Sequence, residues 1–551
     1  MPKTLKTLNF EHELLGKSHA AAVNLLASGG FSSRTMHKQA SSYDSVLYPS
    51  YTHPQTHPER LAVVGALMGL QPAPPGRCRV LELGCGNGAN LIPMACGLSE
   101  SEFLGIDLAA RPIAFGKKMI QDLGLANIRL FHGSIIDISA DWGKFDYIIA
   151  HGLYSWVPPD IQKHVLALCR DFLAPQGIAF VSYNALPGGH LRNMLREMML
   201  FHTRGFDSAD ERVKQAMAFV RFLAEAHDSN DPYRVWVRSE LDGILDHSEG
   251  HLYHDELAEL NEPLYFTQFI ERAAAHELQY LAEADYFEMF PYGFNLSARQ
   301  TLERLGGNRI AREQYLDFLK CRRFRQTLLC HRDACLLTEP RPEMVEDFLV
   351  SSLAKCKNAP VNLNPGVNML YQTPKGAKCE TDFPLGKAAL AVLGAIGPMP
   401  LSFDELLSQA RDRLRAAGIQ KESNESFSSF LLQLYSAGLI ELRAGLAPIT
   451  RSVSERPMAS PLARWQAQHG DVATTAFHIA VKLEDEIGRS LLLWLDGTQD
   501  RKALVEKIWQ LLESRKALVV PEGNETAARE DLAAKLEKNL EKLAGLGLLV
   551  G

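Results

Sequence analysis

From Val80 onward the chain alternates short apolar runs with stretches whose apolar residues recur every three or four positions. That alternation is the pattern of strands followed by helices. Val80 to Leu83, apolar except for Glu82, predicts a buried parallel strand. Phe103-Leu104-Gly105-Ile106 predicts a second strand that ends at Asp107, and residues 112–123 follow as a helix starting at Pro112. A third strand is expected from Ile128 to Phe131 and a fourth from Phe145 to Ala150. Ile161, Val165, Leu168 and Phe172 keep helical spacing until Pro175 and Gly177 interrupt it, and Ile178 to Tyr183 forms a fifth strand. The order predicts an α/β fold with a doubly wound, Rossmann-like sheet, whose ligands sit beyond the carboxyl ends of the strands.

After Asn184 the alternation stops. Residues 190–260 read as a helical insertion, with Val213, Met217, Val220 and Leu223 on one apolar face, lying over the strand ends as a lid. Leu278 to Leu281 and Phe324 to Cys330 then supply a sixth and a seventh strand, with a helix over Tyr315 to Leu319 between them. Residues 1–42 are expected as an N-terminal helical arm, 43–335 as the catalytic α/β domain and 336–355 as a linker around Pro340-Arg341-Pro342. Beyond it, the pairing of Ser436-Ala437-Gly438-Leu439-Ile440-Glu441-Leu442 with Leu543-Ala544-Gly545-Leu546-Gly547-Leu548-Leu549 suggests two diverged, mainly helical winged-helix-like units, 356–450 and 451–551.

Charge and composition narrow the class of partner. A net charge of -7 supplies no basic field for nucleic acid, and neither candidate recognition helix is rich in Lys or Arg. No nucleic-acid partner is expected; contact with another protein or with the catalytic domain is the better reading of the C-terminal units, beside that of a structural appendage. No run of 18 apolar residues occurs, so no membrane insertion is expected. The nine cysteines are scattered without a CxxC pair, which argues against a zinc site or disulfide framework and fits reduced thiols in a cytoplasmic setting. Glu313, Asp317, Glu283 and Asp285 have no metal-ligand spacing joined by histidines, so no metal is expected. A homodimer is left open.

The chemistry concentrates in Glu82-Leu83-Gly84-Cys85-Gly86-Asn87-Gly88, a glycine loop between the first strand and a helix opening near Ala89. Gly84, Gly86 and Gly88 let the backbone turn tightly, and Asp107, about 20 residues on, can accept ribose hydroxyls. Ala89 at the third fingerprint position leaves the choice of cofactor open on glycines alone. Glu82 narrows it, because its carboxylate would repel a pyrophosphate while suiting S-adenosylmethionine, which carries an amino group and a sulfonium. The loop therefore resembles motif I of the class I methyltransferases.

Further segments resemble the bacterial methyltransferases that carry a methyltransferase regulatory domain, among them the rickettsial protein lysine methyltransferases of outer-membrane protein B. They are Tyr43-Asp44, Tyr48-Pro49-Ser50, Thr56-His57-Pro58-Glu59-Arg60-Leu61, His151 to Pro159, Val181 to His190, Asn261 to Phe266, Glu313 to Phe318 and Arg323 to His331. The resemblance covers residues 43–335, and the C-terminal part by architecture; Gly189 departs from it where a tryptophan is expected before His190. It implies S-adenosylmethionine-dependent methyl transfer to a protein, with lysine as acceptor. The alternatives are a small-molecule methyltransferase and a non-catalytic, S-adenosylmethionine-sensing interaction protein.

The candidate cofactor residues are Tyr43, Tyr48, His57, Glu82, Gly84, Gly86, Gly88, Asn90, Asp107, Ser134, Ile135 and His151. By resemblance, the segment from Tyr43 to Arg60 folds across the cofactor; its plain alternative is a surface arm. Ser134-Ile135 follows the third strand, where a polar group and an apolar side chain meet an adenine, and Asp137 is the competing polar contact. Methyl transfer depends on alignment more than on acid-base work, so a strong catalytic dyad is not required. Tyr154, Trp156 and Tyr183 are candidates for an apolar, cation-π wall, and His151 for orienting the acceptor or relaying its proton. The competing reading makes each of these a packing residue.

Overall fold

The computed structural model describes residues 51–550 apart from 226–230, 246–251, 359, 420–425, 446–448, 451, 484 and 516–524. Tyr43, Tyr48 and the expected N-terminal arm lie outside the described residues.

Seven strands form one sheet: β1 (Arg79–Leu83), β2 (Glu102–Asp107), β3 (Ile128–His132), β4 (Phe145–Ala150), β5 (Leu173–Asn184), β6 (Leu278–Glu283) and β7 (Phe324–His331). Their spatial order is β3-β2-β1-β4-β5-β7-β6. The first five pair in parallel, whereas β7 runs antiparallel to both β5 and β6. Interior strands covered on both faces must be apolar throughout, and the continuous runs of β1, β4 and β5 follow from that requirement. β5 starts at Leu173, before Pro175, so the proline lies within the strand at an irregularity of its pairing with β4, where Phe145 faces Leu173 but Tyr147 faces Ile178.

Helices α1 (Pro58–Leu67), α2 (Leu91–Gly97), α3 (Ala110–Asp122) and α4 (Pro159–Phe172) cover the parallel strands. The insertion consists of α5 (Gly188–Thr203), α6 (Ala209–Glu225) and α7 (Pro232–Leu245), which bury Leu195, Met199, Val213, Val220 and Leu241 in a core of their own. Three further helices, α8 (Phe266–Ala274), α9 (Leu296–Leu305) and α10 (Arg309–Lys320), frame β6 and β7. Under β7 the guanidinium of Arg325, fully buried, meets Glu283, Glu313 and Asp317.

Past Pro340, helices 384–396, 403–416 and 427–436 surround a three-stranded sheet built from 349–351, 401–402 and 441–443. This region is no detached appendage. One apolar cluster runs without a break from Leu61, Val80 and Phe103 through Tyr286 to Val345, Val350, Leu393 and Leu442. The last region, with helices 461–469, 486–494, 501–514 and 525–545 and a hairpin of 472–474 with 480–482, has a separate core that includes Leu491, Leu504, Trp509 and Leu540.

Candidate functional site

The glycine loop leaves β1 at Leu83 and turns back over β2, where the Gly84 and Cys85 N–H groups donate to the Ile106 carbonyl at 2.9 and 3.1 Å. Gly84, Gly86 and Gly88 hold φ of +74°, +54° and +76°, the left-handed region that side chains avoid. The loop also presses on α3, since a Cβ at Gly116 would lie 2.3 Å from the Asn87 carbonyl oxygen.

Asp107 ties the loop to the end of β2. Its carboxylate accepts from the Gly86 N–H at 2.8 Å and from the Ala109 N–H at 2.8 Å. A carboxylate oxygen accepts more than one hydrogen bond, so holding the loop is compatible with accepting a hydroxyl beyond the strand end.

Glu82 is buried, and Oε1 accepts from Asn90 Nδ2 at 2.8 Å. Among the described residues Oε2 has no hydrogen-bond partner, although it is inaccessible to solvent. Burial pushes the carboxyl up to about 8, opposed by the Asn90 hydrogen bond and reinforced by the nearby Asp107 charge. A buried acid with one unanswered oxygen beside a second carboxylate suits a cationic ligand and would repel a phosphate. The residues therefore fit the amino and sulfonium charges of S-adenosylmethionine.

Asn90 joins that acid to the segment before α1. Its Oδ1 accepts from the His53 N–H at 2.9 Å, and its Nδ2 reaches Thr56 Oγ1 at 3.1 Å. His57 caps α1 by accepting from the Glu59 N–H at 3.3 Å through Nδ1. Burial, with Arg443 and Arg60 nearby, lowers its imidazole to about 3. His53 stacks on His151 with ring centroids 3.8 Å apart, and Phe180 stacks on the other side of His151 at 5.7 Å. His151 thus stands at the end of β4 between two rings.

The other candidates are spread behind this loop. Ser134 caps the short turn after β3, its Oγ accepting from the Ile136 N–H and its N–H donating to Asp137, while Ile135 is buried next to it. Tyr154 and Tyr183 are both buried against Phe269, Tyr183 stacking on it at 4.1 Å and Tyr154 meeting it edge-on at 5.3 Å. Trp156 is buried beneath Arg192 and Arg196 of α5 at 5.9 and 5.3 Å. Gly189 has no room for the tryptophan of the family pattern, because a Cβ there would sit 2.8 Å from Pro263.

Polar residues at the end of β5 and beyond it extend the crevice. Asn184, ending β5, donates to Asn261 at 2.7 Å, and Asn261 donates to Asn193 of α5 at 2.8 Å, joining the strand end to the insertion. His53 was hidden in an irregular segment; its signal was only a histidine two residues after Tyr51 in a Tyr-, Pro- and His-rich stretch. No metal-binding group of three or more His, Cys, Asp and Glu side chains occurs among the described residues.

Residues 80–177 match the model described as a methyltransferase domain, and residues 248–331 match a predicted methyltransferase regulatory domain. Residues 455–548 match the PKMT C-terminal winged helix domain. An uncharacterized protein of Rickettsia prowazekii is 31% identical over 524 residues, covering 92% of this chain and 93% of that protein. The chain belongs to the methyltransferases that carry this regulatory domain. Within that family, the structure of PKMT2 from Rickettsia typhi superposes with a TM-score of 0.80 at 28% identity, covering 92% of this chain and 100% of that one. The same protein in complex with AdoHcy superposes at 0.79. The family match, the sheet order and the acid-lined loop agree on an S-adenosylmethionine-dependent methyltransferase. Among the described residues no helix of this methyltransferase is long and apolar enough to cross a membrane.

Proposed function

We propose that this methyltransferase transfers a methyl group to lysine side chains of a protein. The observation that carries the cofactor half of the reading is the pair Glu82 and Asp107 at neighbouring strand ends, with Glu82 Oε2 unanswered in a buried position. The acceptor half rests on the extended similarity to PKMT2, which includes the regulatory and winged-helix regions.

When bound, S-adenosylmethionine supplies a sulfonium-activated methyl group to a nucleophile approaching in line. The Gly84–Gly88 backbone and Asp107 hold the ribose end, Glu82 faces the amino group, and Ser134 and Ile135 face the adenine. Tyr43 and Tyr48 are assigned to the same site by resemblance. His151, clamped between His53 and Phe180, orients the acceptor. Tyr154 and Tyr183 form the wall behind it, and Trp156 fixes the insertion through Arg192 and Arg196. A free lysine has a pKa of about 10.4, and desolvation beside a cation lowers it toward the neutral, nucleophilic amine. Residues 43–335 are the catalytic unit, with 356–450 and 451–551 as two winged-helix-like units that present the protein acceptor. A cytoplasmic homodimer completes the proposal, supported by the nine unpaired cysteines and by Phe201 and Phe222 exposed on the insertion.

A labelled-methyl transfer assay on lysate, resolved into macromolecular and small-molecule fractions, tests the reading. Label in protein that hydrolyses to methylated lysine is expected. Label confined to small molecules would replace it with the small-molecule reading, and no transfer despite cofactor binding would leave a sensor.

A further inference from the structure

Between strands 472–474 and 480–482 the chain turns through Thr475 to Ile479, and this turn reaches Asn90, just past the cofactor loop. His478 stands in it with φ of +60° and is buried. Such a backbone is uncommon for any residue but glycine and persists only where its surroundings fix it. Thr475 supplies part of that frame, its Oγ1 accepting from the Phe477 and Ile479 N–H groups at 3.2 and 3.3 Å.

The imidazole Nε2 of His478 lies 2.9 Å from Asn90 Oδ1, across 388 residues of sequence. The same Oδ1 accepts from the His53 N–H, which fixes it as the oxygen, so His478 donates. With its oxygen facing the His53 N–H, the His478 ring and, at 3.3 Å, the Thr56 hydroxyl, the amide aims Nδ2 at Glu82. Burial, with His57, His53 and Arg443 nearby, keeps the His478 ring neutral, as a single-donor tautomer requires.

Arg443 and Trp465 hold this region against the helices that flank the loop. Arg443 pairs with Glu59 of α1 at 3.2 Å and donates to the Phe477 carbonyl at 3.3 Å. Trp465 donates to Asp122 at 3.1 Å and sets its ring against Phe115, both on α3, the helix that follows Asp107. The C-terminal winged helix thus meets Asn90, just past the cofactor loop, and α3, while Arg443 ties its 475–479 turn to α1.

We propose that His478 is a positioning residue of the cofactor site: it locks the Asn90 amide so that Glu82 keeps one oxygen facing the cationic end of S-adenosylmethionine, and it thereby couples seating of the C-terminal winged helix to cofactor affinity. The proposal rests on the cofactor reading above. Coupling of this kind is reciprocal, so cofactor binding must tighten the hold on the 475–479 turn.

Calorimetric titration of the full chain with S-adenosylmethionine tests it, using His478→Ala, His478→Gln, Asn90→Ala and the double variant H478A/N90A. His478→Ala is expected to weaken binding about tenfold, the scale of one buried hydrogen bond. His478→Gln, which retains an N–H donor, restores most of it. In the Asn90→Ala background the further loss of His478 changes nothing. Wild-type affinity in folded His478→Ala, or losses that simply add in the double variant, would overturn the proposal. Should His478→Ala not fold, amide exchange of 472–482 in the wild-type chain decides: AdoHcy is expected to slow it, and unchanged exchange with AdoHcy bound refutes the coupling. A wild-type chain that binds no cofactor is a different failure, because the cofactor reading falls first and takes the proposal with it.

Discussion

Replacing Glu82 by Gln should raise the stability of the cofactor-free protein and weaken its grip on the cofactor. The carboxyl sits at about 8 when folded against an ordinary value of 4.5, with burial as the main cause. An acid whose folded value is raised stabilises the fold below its unfolded value and loses that contribution as pH climbs toward the folded one. The window is therefore pH 4.5 to 8. At pH 7 the penalty against folding is on the order of 3 kcal/mol, from about 1.4 kcal/mol per pH unit over most of that window. Glutamine keeps an oxygen to accept from Asn90 Nδ2 and carries no proton to lose. Thermal unfolding of the two proteins from pH 5 to 9 should show curves that separate progressively up to about pH 8. In titrations with S-adenosylmethionine, wild-type affinity should rise with pH over the same range and protons should be released, because a cation favours the ionised acid. The variant should bind more weakly by about 1.5–3 kcal/mol at pH 8, the value of a charge-assisted hydrogen bond. Parallel stability curves for the two proteins, or equal affinities at pH 8, would refute the assignment of Glu82 as the acid facing the cofactor.

Four further outcomes are expected. Asp107→Ala should cost about 1.5–3 kcal/mol of cofactor binding, read by calorimetry, because the carboxylate holds the loop as well as facing the ribose. Tyr154→Ala should slow methyl transfer more than it weakens cofactor binding; equal losses would make Tyr154 a support of the cofactor pocket. Arg325→Met should destabilise by about 3–5 kcal/mol in chemical denaturation, since Glu283 and Glu313 would lose their buried cation and Asp317 would keep only Arg322. A chain cut after Pro340 should lack a cooperative unfolding transition by circular dichroism, because Val345, Val350 and Leu393 close the core that Leu61 and Val80 begin.

The parts of this architecture that depend on local pattern were legible in the sequence. Each strand of the sheet was found within a few residues, since apolar runs bounded by glycine and acid mark parallel strands, and the 190–260 insertion appeared as a loss of alternation. Strand β5 began earlier than expected because a proline can enter a strand where it need not donate. The glycine loop and Asp107 were visible because their spacing carries a backbone requirement. Asn261 and Asn193 were not assigned roles, as an asparagine in a loop or on a helix looks like any polar residue until its partner is placed. His478 gave no signal at all, lying 388 residues from the amide it meets. The packing of 345–442 onto the sheet was equally hidden: a helix's apolar stripe reveals that it is covered, never by what.

Because the sheet shares its apolar core with residues far downstream, the order of synthesis matters. Leu61, Val80 and Phe103 leave the ribosome 242 residues or more before Val345, counting 345 minus 103. At about 5–20 residues per second that is a delay of roughly 12–50 seconds between the first strands of this core and the residues that finally cover it. Apolar surface left uncovered over that interval is the kind that aggregates before folding is complete. Stalled translation between 104 and 345 would leave a sticky intermediate in the cell instead of a small working enzyme.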